Sequence, residues 1–271
     1  MPMGGITRVS SKLPQRLTSI LDALRSDGCA VLEDVFDAAA LSAIREGLRA
    51  GLALVREQVG EAALQRTGEL GIVRAPMLSS DVFFHLLETP ELLEIVGAAL
   101  SPTAILHLQN GFVLPPAIPG DEARFQRQFH RDFPRVLNGF VCSINTLIAV
   151  DEFTADNGAT LVVPGSHQTY DAPDTSAAIP VECDAGSVVV FDSTLWHAAG
   201  RNATAQVRCA VNQQFTHSFF KQQLDYVRCL GEERILRQTP RTQQLLGWYT
   251  RVPESLEQYY REERVYRSGQ G

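Results

Sequence analysis

Residues 187–200 read SVVVFDSTLWHAAG, an apolar run followed by a polar turn and a histidine. The run Val188–Phe191 has the length and the β-branched composition of a short buried strand. His197 then follows just beyond the end of that strand. A side chain in this position lies near the mouth of a barrel or sandwich. This one stretch therefore predicts both a β-fold and a place for a functional residue.

The same pattern of short apolar runs and turn residues extends in both directions from this stretch. After Pro102, short runs rich in Val, Ile, Phe and Leu alternate with clusters of Gly, Pro, Asn and Asp. Several short strands at such spacing indicate an all-β sandwich or barrel. Helical patterns do not alternate with the strands, which disfavours a parallel β/α sheet. The predicted strands are 104–114, 124–132, 139–150, 159–163, 187–192 and 206–216.

The two ends of the chain are predicted to be mainly helical. Apolar spacing indicates helices at 13–27, 81–88 and 90–100, and a helix of about 20 residues that begins after an N-cap at Asp37. A strand is predicted at Cys29–Leu32. The last 50 residues return to a helical, charged pattern with a stop at Pro240. With no repeat and no linker, we predict one domain over 1–271, with a helical layer at about 13–100, a β-core at about 103–217 and a helical segment at about 218–271.

Composition narrows the classes of partner. The 271 residues are 45% hydrophobic and 20% charged, with a formal net charge of −7. This acidic balance argues against a nucleic acid or an anionic membrane as the main partner, and it gives no information about the substrate. The five cysteines contain no CxxC, which disfavours a disulfide framework or a thiolate zinc site. With no signal peptide or membrane-length apolar run, we predict a cytoplasmic protein.

The stretch FHRDFP at 129–134 contains a candidate metal-binding pair. On a strand at 124–132, His130 and Asp132 would point to the same face. An imidazole nitrogen and a carboxylate oxygen suit Fe(II), Mn(II) or Zn(II). Such a pair also arises by chance, so a third ligand is needed. The candidates are His85, His107, His167, His197 and His217, of which the strand-end position favours His197.

Arg208 follows His197 by eleven residues and interrupts the apolar run VRCAV. Burying an arginine is costly unless it meets an anion. That anion is either a core Asp or Glu or the carboxylate of a small acid. With His130, Asp132 and His197 as ligands, the metal would have a 2-His-1-carboxylate face and open positions for a 2-oxo acid and dioxygen.

Four segments together resemble the phytanoyl-CoA dioxygenase family of Fe(II)/2-oxoglutarate oxygenases. They are HRD at 130–132, DNGATLVVPGSH at 156–167, the pair Trp196–His197 with Arg208 eleven residues on, and LRSDGCAVLEDVF at 24–36. The resemblance covers roughly residues 17–216. It implies a mainly β fold whose core is a double-stranded β-helix, a cupin-like jelly roll, with N-terminal and flanking α-helices.

The resemblance also implies roles for individual residues. His130, Asp132 and His197 match the iron ligands, and Arg208 matches the arginine that binds the distal carboxylate of 2-oxoglutarate. Relatives often carry a glutamine shortly before the HxD motif, and asparagine is a further polar candidate in the next strand. The candidate 2-oxoglutarate contacts are therefore Gln126, Gln128 and Asn145. Each also has an ordinary interpretation, as a solvent-facing glutamine or as a core asparagine bonded to backbone.

The implied function is that of an Fe(II)/2-oxoglutarate-dependent dioxygenase, an oxidoreductase that consumes O2 and forms succinate and CO2. It would oxidise an unactivated C–H bond, most simply by hydroxylation, with desaturation or ring formation as variants. We expect a small or medium apolar metabolite as substrate, in a pocket walled by 70–80, two of the predicted strands and several aromatic residues: Phe112, Phe129, Phe133, Phe140 and Phe215. A cupin-like metal isomerase is an alternative that leaves Arg208 without a role. A non-catalytic jelly-roll binding protein explains neither Arg208 nor the ligands.

Overall fold

The computed structural model describes residues 5–118, 128–133 and 139–260. The strands within this part of the chain are β1 (Thr7–Ser10), β2 (Cys29–Glu33), β3 (Ile72–Arg74), β4 (Ile105–Leu114), β5 (Ser143–Ala149), β6 (Thr160–Val162), β7 (Ile179–Pro180), β8 (Val188–Asp192), β9 (His197–Ala199) and β10 (Arg208–Thr216). The α-helices are α1 (Arg16–Ser26), α2 (Ala38–Val59), α3 (Glu61–Thr67), α4 (Val82–Leu87), α5 (Pro90–Ala99), α6 (Tyr226–Leu230), α7 (Glu232–Leu236), α8 (Pro240–Leu245) and α9 (Leu256–Tyr260).

Two sheets form the β-core. The large sheet has seven strands in the order β1-β2-β8-β5-β10-β4-β3, and the small sheet has three in the order β7-β6-β9. All strand pairs are antiparallel except β1 with β2. Five neighbouring pairs join strands that are not consecutive in the chain, as expected of a jelly roll: β2-β8, β8-β5, β5-β10, β10-β4 and β6-β9. The predicted fold class, a mainly β jelly-roll core with flanking helices, is confirmed.

The large sheet is buried on both faces because its strands alternate between two apolar cores. In β8, Val188 and Val190 pack with the helices, whereas Val189 and Phe191 face the small sheet. Successive strand residues point to opposite faces, so a strand covered on both sides reads as a continuous apolar run. The run that begins at Val188 is therefore the centre of a three-layer arrangement of helices, large sheet and small sheet.

Most predicted helices are present within a few residues of their expected ends. Asp37 caps α2 as predicted, because its carboxylate accepts a 2.8 Å hydrogen bond from the Ala40 amide. The break near Pro240 is also present, but Pro240 begins a helix, α8, after α7 ends at Leu236. Proline suits the first turn of a helix because no hydrogen bond is lost there. Nowhere in the described ranges is a helix both long and apolar enough to span a membrane.

The predicted strand at 124–132 is only partly testable, and its described part is not a regular strand. Residues 124–127 lie outside the described residues. Among residues 128–133, only His130 pairs with another chain segment, through an isolated antiparallel bridge to His197. The prediction that 128–132 forms an extended strand was therefore wrong. The two ligands His130 and Asp132 come together through this single bridge and the bend that follows it.

Candidate active site

Two histidines and one aspartate converge between the two sheets. The amide and carbonyl of His130 both bond the backbone of His197, at 3.0 Å in each direction. The carboxylate Oδ1 of Asp132 lies 3.6 Å from Nε2 of His130 and 3.7 Å from Nε2 of His197. One ligand atom from each residue lies within 4.8 Å of the others. Ligands about 2.1 Å from a shared ion have comparable spacing, so the three residues fit one metal ion.

Backbone carbonyls fix the orientation of both imidazoles. Nδ1 of His130 lies 2.8 Å from the Gln128 carbonyl, and Nδ1 of His197 lies 2.9 Å from the Leu195 carbonyl. A carbonyl only accepts, so each Nδ1 carries the proton. Each Nε2 then presents its lone pair toward the same volume as Asp132. Outer hydrogen bonds of this kind orient metal-binding histidines in proteins.

Asp132 is held by a buried asparagine. Nδ2 of Asn145 donates a 2.9 Å hydrogen bond to Oδ2 of Asp132, which leaves Oδ1 facing the two histidines. Burial alone raises the pKa of Asp132, but the charge of His197 and hydrogen bonds from His130 and Asn145 outweigh it, so its pKa lies below the ordinary value. Burial lowers the pKa of His197. A carboxylate and a neutral imidazole are the ligand forms that bind divalent metals.

The pKa of His130 is raised, unlike the pKa values of Asp132 and His197. Burial lowers the pKa of His130, but a hydrogen bond to Asp132, the Gln128 carbonyl and the Asp132 charge together raise it above the ordinary value. The raised pKa is a property of the metal-free protein. A bound cation opposes protonation of a ligand nitrogen, so metal and proton compete for this imidazole.

Arg208 lies in the same cavity and forms no ion pair with any residue that the structure describes. The residue is 5% exposed, and its Nε and Nη1 atoms are buried with no hydrogen-bond partner in the part of the chain that the structure describes. Its guanidinium carbon lies 4.3 Å from the centroid of the Phe153 ring. Burial lowers the pKa of Arg208 to about 10, which still leaves it charged at neutral pH. The first interpretation from the sequence was a salt bridge to a core Asp or Glu, and the described residues provide none. The buried guanidinium therefore remains to be matched by an anion.

A cavity of about 390 Å³ connects the triad with Arg208. Its wall includes Ile72, Leu108, Phe112 and Leu147, which give it a large apolar surface. Phe112 and the 70–80 region line it as predicted.

Two of the aromatic residues proposed for the wall lie elsewhere. Phe215 is packed in the core beneath the helices, because it alternates to the other face of β10 from Arg208. Phe140 is 46% exposed and stacks on His217. The prediction was wrong for these two side chains. Phe129 and Phe133 are likewise not among the described residues that line the cavity, which leaves Phe112 of the five.

The three residues proposed as further 2-oxoglutarate contacts have different positions. Gln126 lies outside the described residues. Gln128 is exposed and supplies its backbone carbonyl to His130. Asn145 is fully buried and bonds Asp132, Ser193 and Asn212 rather than lining the cavity. Its observed contacts orient the metal-binding aspartate, and contact of any of the three with 2-oxoglutarate stays a prediction.

The DNGATLVVPGSH segment at 156–167 packs beside the site and supports the strand that carries His197. Gly158 has φ of +87°, and a Cβ there would lie 2.9 Å from the Gly200 carbonyl oxygen, so the turn requires glycine. The hydroxyl of Ser166 accepts a hydrogen bond from the Trp196 amide, next to the ligand His197. His167 bonds the Arg25 carbonyl and does not join the triad. The segment therefore positions the histidine strand, because β6 within it also pairs with β9.

Asn212 is a site residue that the sequence did not reveal. It lies on β10 four residues after Arg208, is 8% exposed and lines the cavity. Two-residue alternation from Arg208 places Ala210 and Asn212 on the same inward face. That spacing within the predicted strand 206–216 was the available signal, but spacing alone does not distinguish Asn212 from the polar residues Gln213 and Gln214 that follow it.

A jelly roll that presents two histidines and a carboxylate beside a buried arginine defines a class of proteins, the mononuclear metal-dependent oxygenases. The model of the family described as Phytanoyl-CoA dioxygenase (PhyH) matches residues 24–210. The chain belongs to this family, whose members generally depend on Fe(II) and 2-oxoglutarate.

Individual relatives agree with this assignment. The chain is 53% identical over 262 residues to uncharacterized protein Rv1501 of Mycobacterium tuberculosis, covering 94% of this chain and 96% of that protein. It is 34% identical over 160 residues to dioxygenase cdmD of Talaromyces verruculosus, covering 54% and 48%. The solved structure of SnoN, a non-heme alpha ketoglutarate dependent epimerase from nogalamycin biosynthesis, shares the fold with a TM-score of 0.58 at 17% identity, covering 76% and 84%. The chain is thus an oxygenase of the Fe/2-oxoglutarate type.

Proposed function

We propose that this chain is an Fe(II)/2-oxoglutarate-dependent dioxygenase that oxidises an unactivated C–H bond of a small or medium metabolite, most simply by hydroxylation. The observation that carries the proposal is the buried Arg208, which has no ion partner in the described part of the chain and lies in the same cavity as the triad. A dicarboxylic 2-oxo acid supplies both a carboxylate for the guanidinium and a chelating group for the metal. The family and the dioxygenase names of relatives support the same reading.

Each residue has a defined task in this proposal. His130, Asp132 and His197 would hold Fe(II), which would supply O2 activation coupled to oxidative decarboxylation of 2-oxoglutarate. Arg208 binds the distal carboxylate and fixes the direction of the cosubstrate. The apolar wall excludes water and orients the C–H bond. The overall balance is R–H + 2-oxoglutarate + O2 → R–OH + succinate + CO2.

Titration of 2-oxoglutarate into the Fe(II) protein under anaerobic conditions tests the proposal. We expect a weak visible charge-transfer band that saturates with one 2-oxoglutarate per chain. A metal isomerase or a non-catalytic jelly roll gives no such band, and its absence from an iron-loaded sample contradicts the proposal. Screening metabolites for stimulated succinate formation then identifies the substrate, with Arg208→Ala as the matched control for cosubstrate-dependent turnover.

A further inference from the structure

A row of polar side chains crosses the cavity wall from the metal centre. Asn145, Asn212, Asn110 and Arg74 lie on β5, β10, β4 and β3, which are adjacent strands of the large sheet. Asn110 is directly opposite both Asn212 and Arg74 in the strand registers. The last three of the four line the cavity. Since Asn145 donates to Asp132, the row leads from a metal ligand along the wall.

The direction of the Asn212 amide is fixed by this row. Asp132 is a carboxylate and only accepts, so the nitrogen of Asn145 must face it. The oxygen of Asn145 then accepts a 2.7 Å hydrogen bond from Nδ2 of Asn212. Reversing the Asn212 amide would set two oxygens against each other. Its Oδ1 is therefore the acceptor of this cavity-lining residue that remains unused.

Oδ1 of Asn212 is buried and has no hydrogen-bond partner among the described residues. Buried acceptors are normally paired, since leaving one unpaired opposes folding or binding. The partner must be a donor. The 2-oxoglutarate dianion has two carboxylates and a keto oxygen, which all accept, so it cannot fill this position.

We propose that Asn212 is a specificity-determining residue that accepts a hydrogen bond from a hydroxyl or N–H group of the primary substrate. The donor group is then connected to Asp132 through three successive hydrogen bonds, by way of Asn212 and Asn145. The inference rests on the proposed function, because the exclusion of 2-oxoglutarate as the partner assumes that it is the cosubstrate.

The far end of the row indicates that the substrate is uncharged. Nη2 and Nε of Arg74 both bond the carboxylate of Glu69, so the pair carries no net charge. Nη1 of Arg74 bonds the Gln223 side chain at 2.9 Å, and Asn110 oriented to satisfy its neighbours accepts from the same Nη1 at 3.1 Å. These groups offer neutral polar contacts, and Arg208 is already assigned to the cosubstrate.

The apolar residues of the cavity wall define the rest of the substrate class. Ile72, Leu108, Phe112 and Leu114 provide apolar surface beside the polar row. The substrate is thus an uncharged metabolite with an apolar body and at least one hydroxyl or N–H donor along one edge. This refines the apolar metabolite expected from the sequence by adding the donor that Asn212 requires.

Pairs of probes that differ only in the donor test the inference. We would load the protein with Zn(II) and 2-oxoglutarate and measure binding by ligand-observed NMR of 1-adamantanol against 1-fluoroadamantane, benzyl alcohol against benzyl fluoride, and cyclohexanecarboxamide against methyl cyclohexanecarboxylate. Fluorine is close to hydroxyl in size but cannot donate. We expect the donor member to bind about tenfold more tightly, equivalent to about 1.4 kcal/mol. Equal affinity within the pairs, or no binding of the donor members, overturns the proposal.

Variants on β10 show whether Asn212 is the acceptor. In Asn212→Leu the preference for the donor member should fall to near one, while Cys209→Ala, on the opposite face of the same strand, should retain it. A preference that persists in a folded Asn212→Leu protein assigns the acceptor elsewhere and also overturns the proposal. The wild-type comparison of pairs stands even where this variant does not fold.

The 2-oxoglutarate titration distinguishes a failure of this inference from a failure of the proposed function. If the visible band forms and the paired probes bind equally, only the role of Asn212 is wrong. If the band does not form in the iron-loaded protein, the proposed function itself has failed, and any donor preference then belongs to a different activity.

Discussion

His197 contributes to the site through both its backbone and its side chain. Its amide and carbonyl hold His130 in place, and its Nε2 faces Asp132. In His197→Ala the backbone pair is kept while the ligand is lost. We expect this variant to fold but to lose specific Fe(II) uptake and turnover, as measured by metal analysis after anaerobic reconstitution.

The variant His217→Ala is a matched control for that measurement. His217 bonds the Val141 carbonyl and stacks on Phe140, outside the triad. It should take up one iron per chain, as we expect of the wild type. Undiminished iron in His197→Ala, in the same spectroscopic environment, would show that another residue is the third ligand.

Arg208 is expected to act on the cosubstrate and not on the metal. Removing one member of a buried charge pair typically costs about 2–5 kcal/mol, or roughly 30-fold to several thousand-fold in affinity. Arg208→Ala should therefore weaken 2-oxoglutarate binding by this range and leave iron in place, as measured by anaerobic titration. Arg208→Lys keeps the positive charge but not the bidentate guanidinium. Its affinity for 2-oxoglutarate should therefore lie between those of the wild type and Arg208→Ala. Equal affinity in wild type and Arg208→Ala would remove this residue from the cosubstrate site.

Asp132 determines the expected outcome of the reaction. Because its carboxylate fills the third protein position, no vacated position at the metal is available to a halide. With labelled O2 and excess chloride, we expect mass spectrometry to find an alcohol carrying label and no chlorinated product. A chlorinated product from the wild type would contradict this prediction. A product that retains both labelled atoms would keep the dioxygenase class and overturn hydroxylation.

Helix α2 offers a prediction for a single element. Asp37 is exposed and satisfies the Ala40 amide at the start of this helix of 22 residues. Asp37→Ala should lower the free energy of unfolding by about 0.5–2 kcal/mol, as measured by urea denaturation. Asp37→Asn keeps an acceptor and should remain within a few tenths of a kcal/mol of wild type. If both variants lose the same stability, charge and not capping is the cause.

Elements with a long apolar pattern were predictable from the sequence, and those defined by their partners were not. The strands β4, β5, β8 and β10 are long or strongly apolar, so local composition marks them. The short strands β3 and β9 have three residues each, and their extended form depends on pairing with distant segments. A stretch that short has no period to detect.

The same distinction applies within the site. The ligands His130, Asp132 and His197 were identified by residue type and motif, although His130 lies in an isolated bridge and not in the predicted strand. Asn212 could not be identified, because its role depends on Asn145, which is 67 residues away along the chain. A single sequence shows which side chains can bind a metal, whereas hydrogen bonds across strands appear only in the folded sheet.

The whole molecule should gain stability from its ligands, because the site joins separate segments of the chain. The triad comes from the 128–133 segment and β9, whereas Arg208 begins β10. A ligand at 100 times its dissociation constant stabilises the native state by about 2.7 kcal/mol. We expect Mn(II) to raise the thermal unfolding midpoint and 2-oxoglutarate to raise it further, as measured by differential scanning fluorimetry. In His197→Ala neither addition should shift the midpoint, and an undiminished shift there would place the binding site elsewhere.

The donor atoms of the three ligands, two imidazole nitrogens and one carboxylate oxygen, have a consequence for metal supply. These donor types bind several divalent ions of similar radius. Nitrogen and oxygen donors generally bind copper and zinc more strongly than ferrous iron. Which ion occupies the protein is then decided by availability during synthesis, and material isolated aerobically in zinc-containing buffer should be mismetallated and inactive until it is stripped and reloaded.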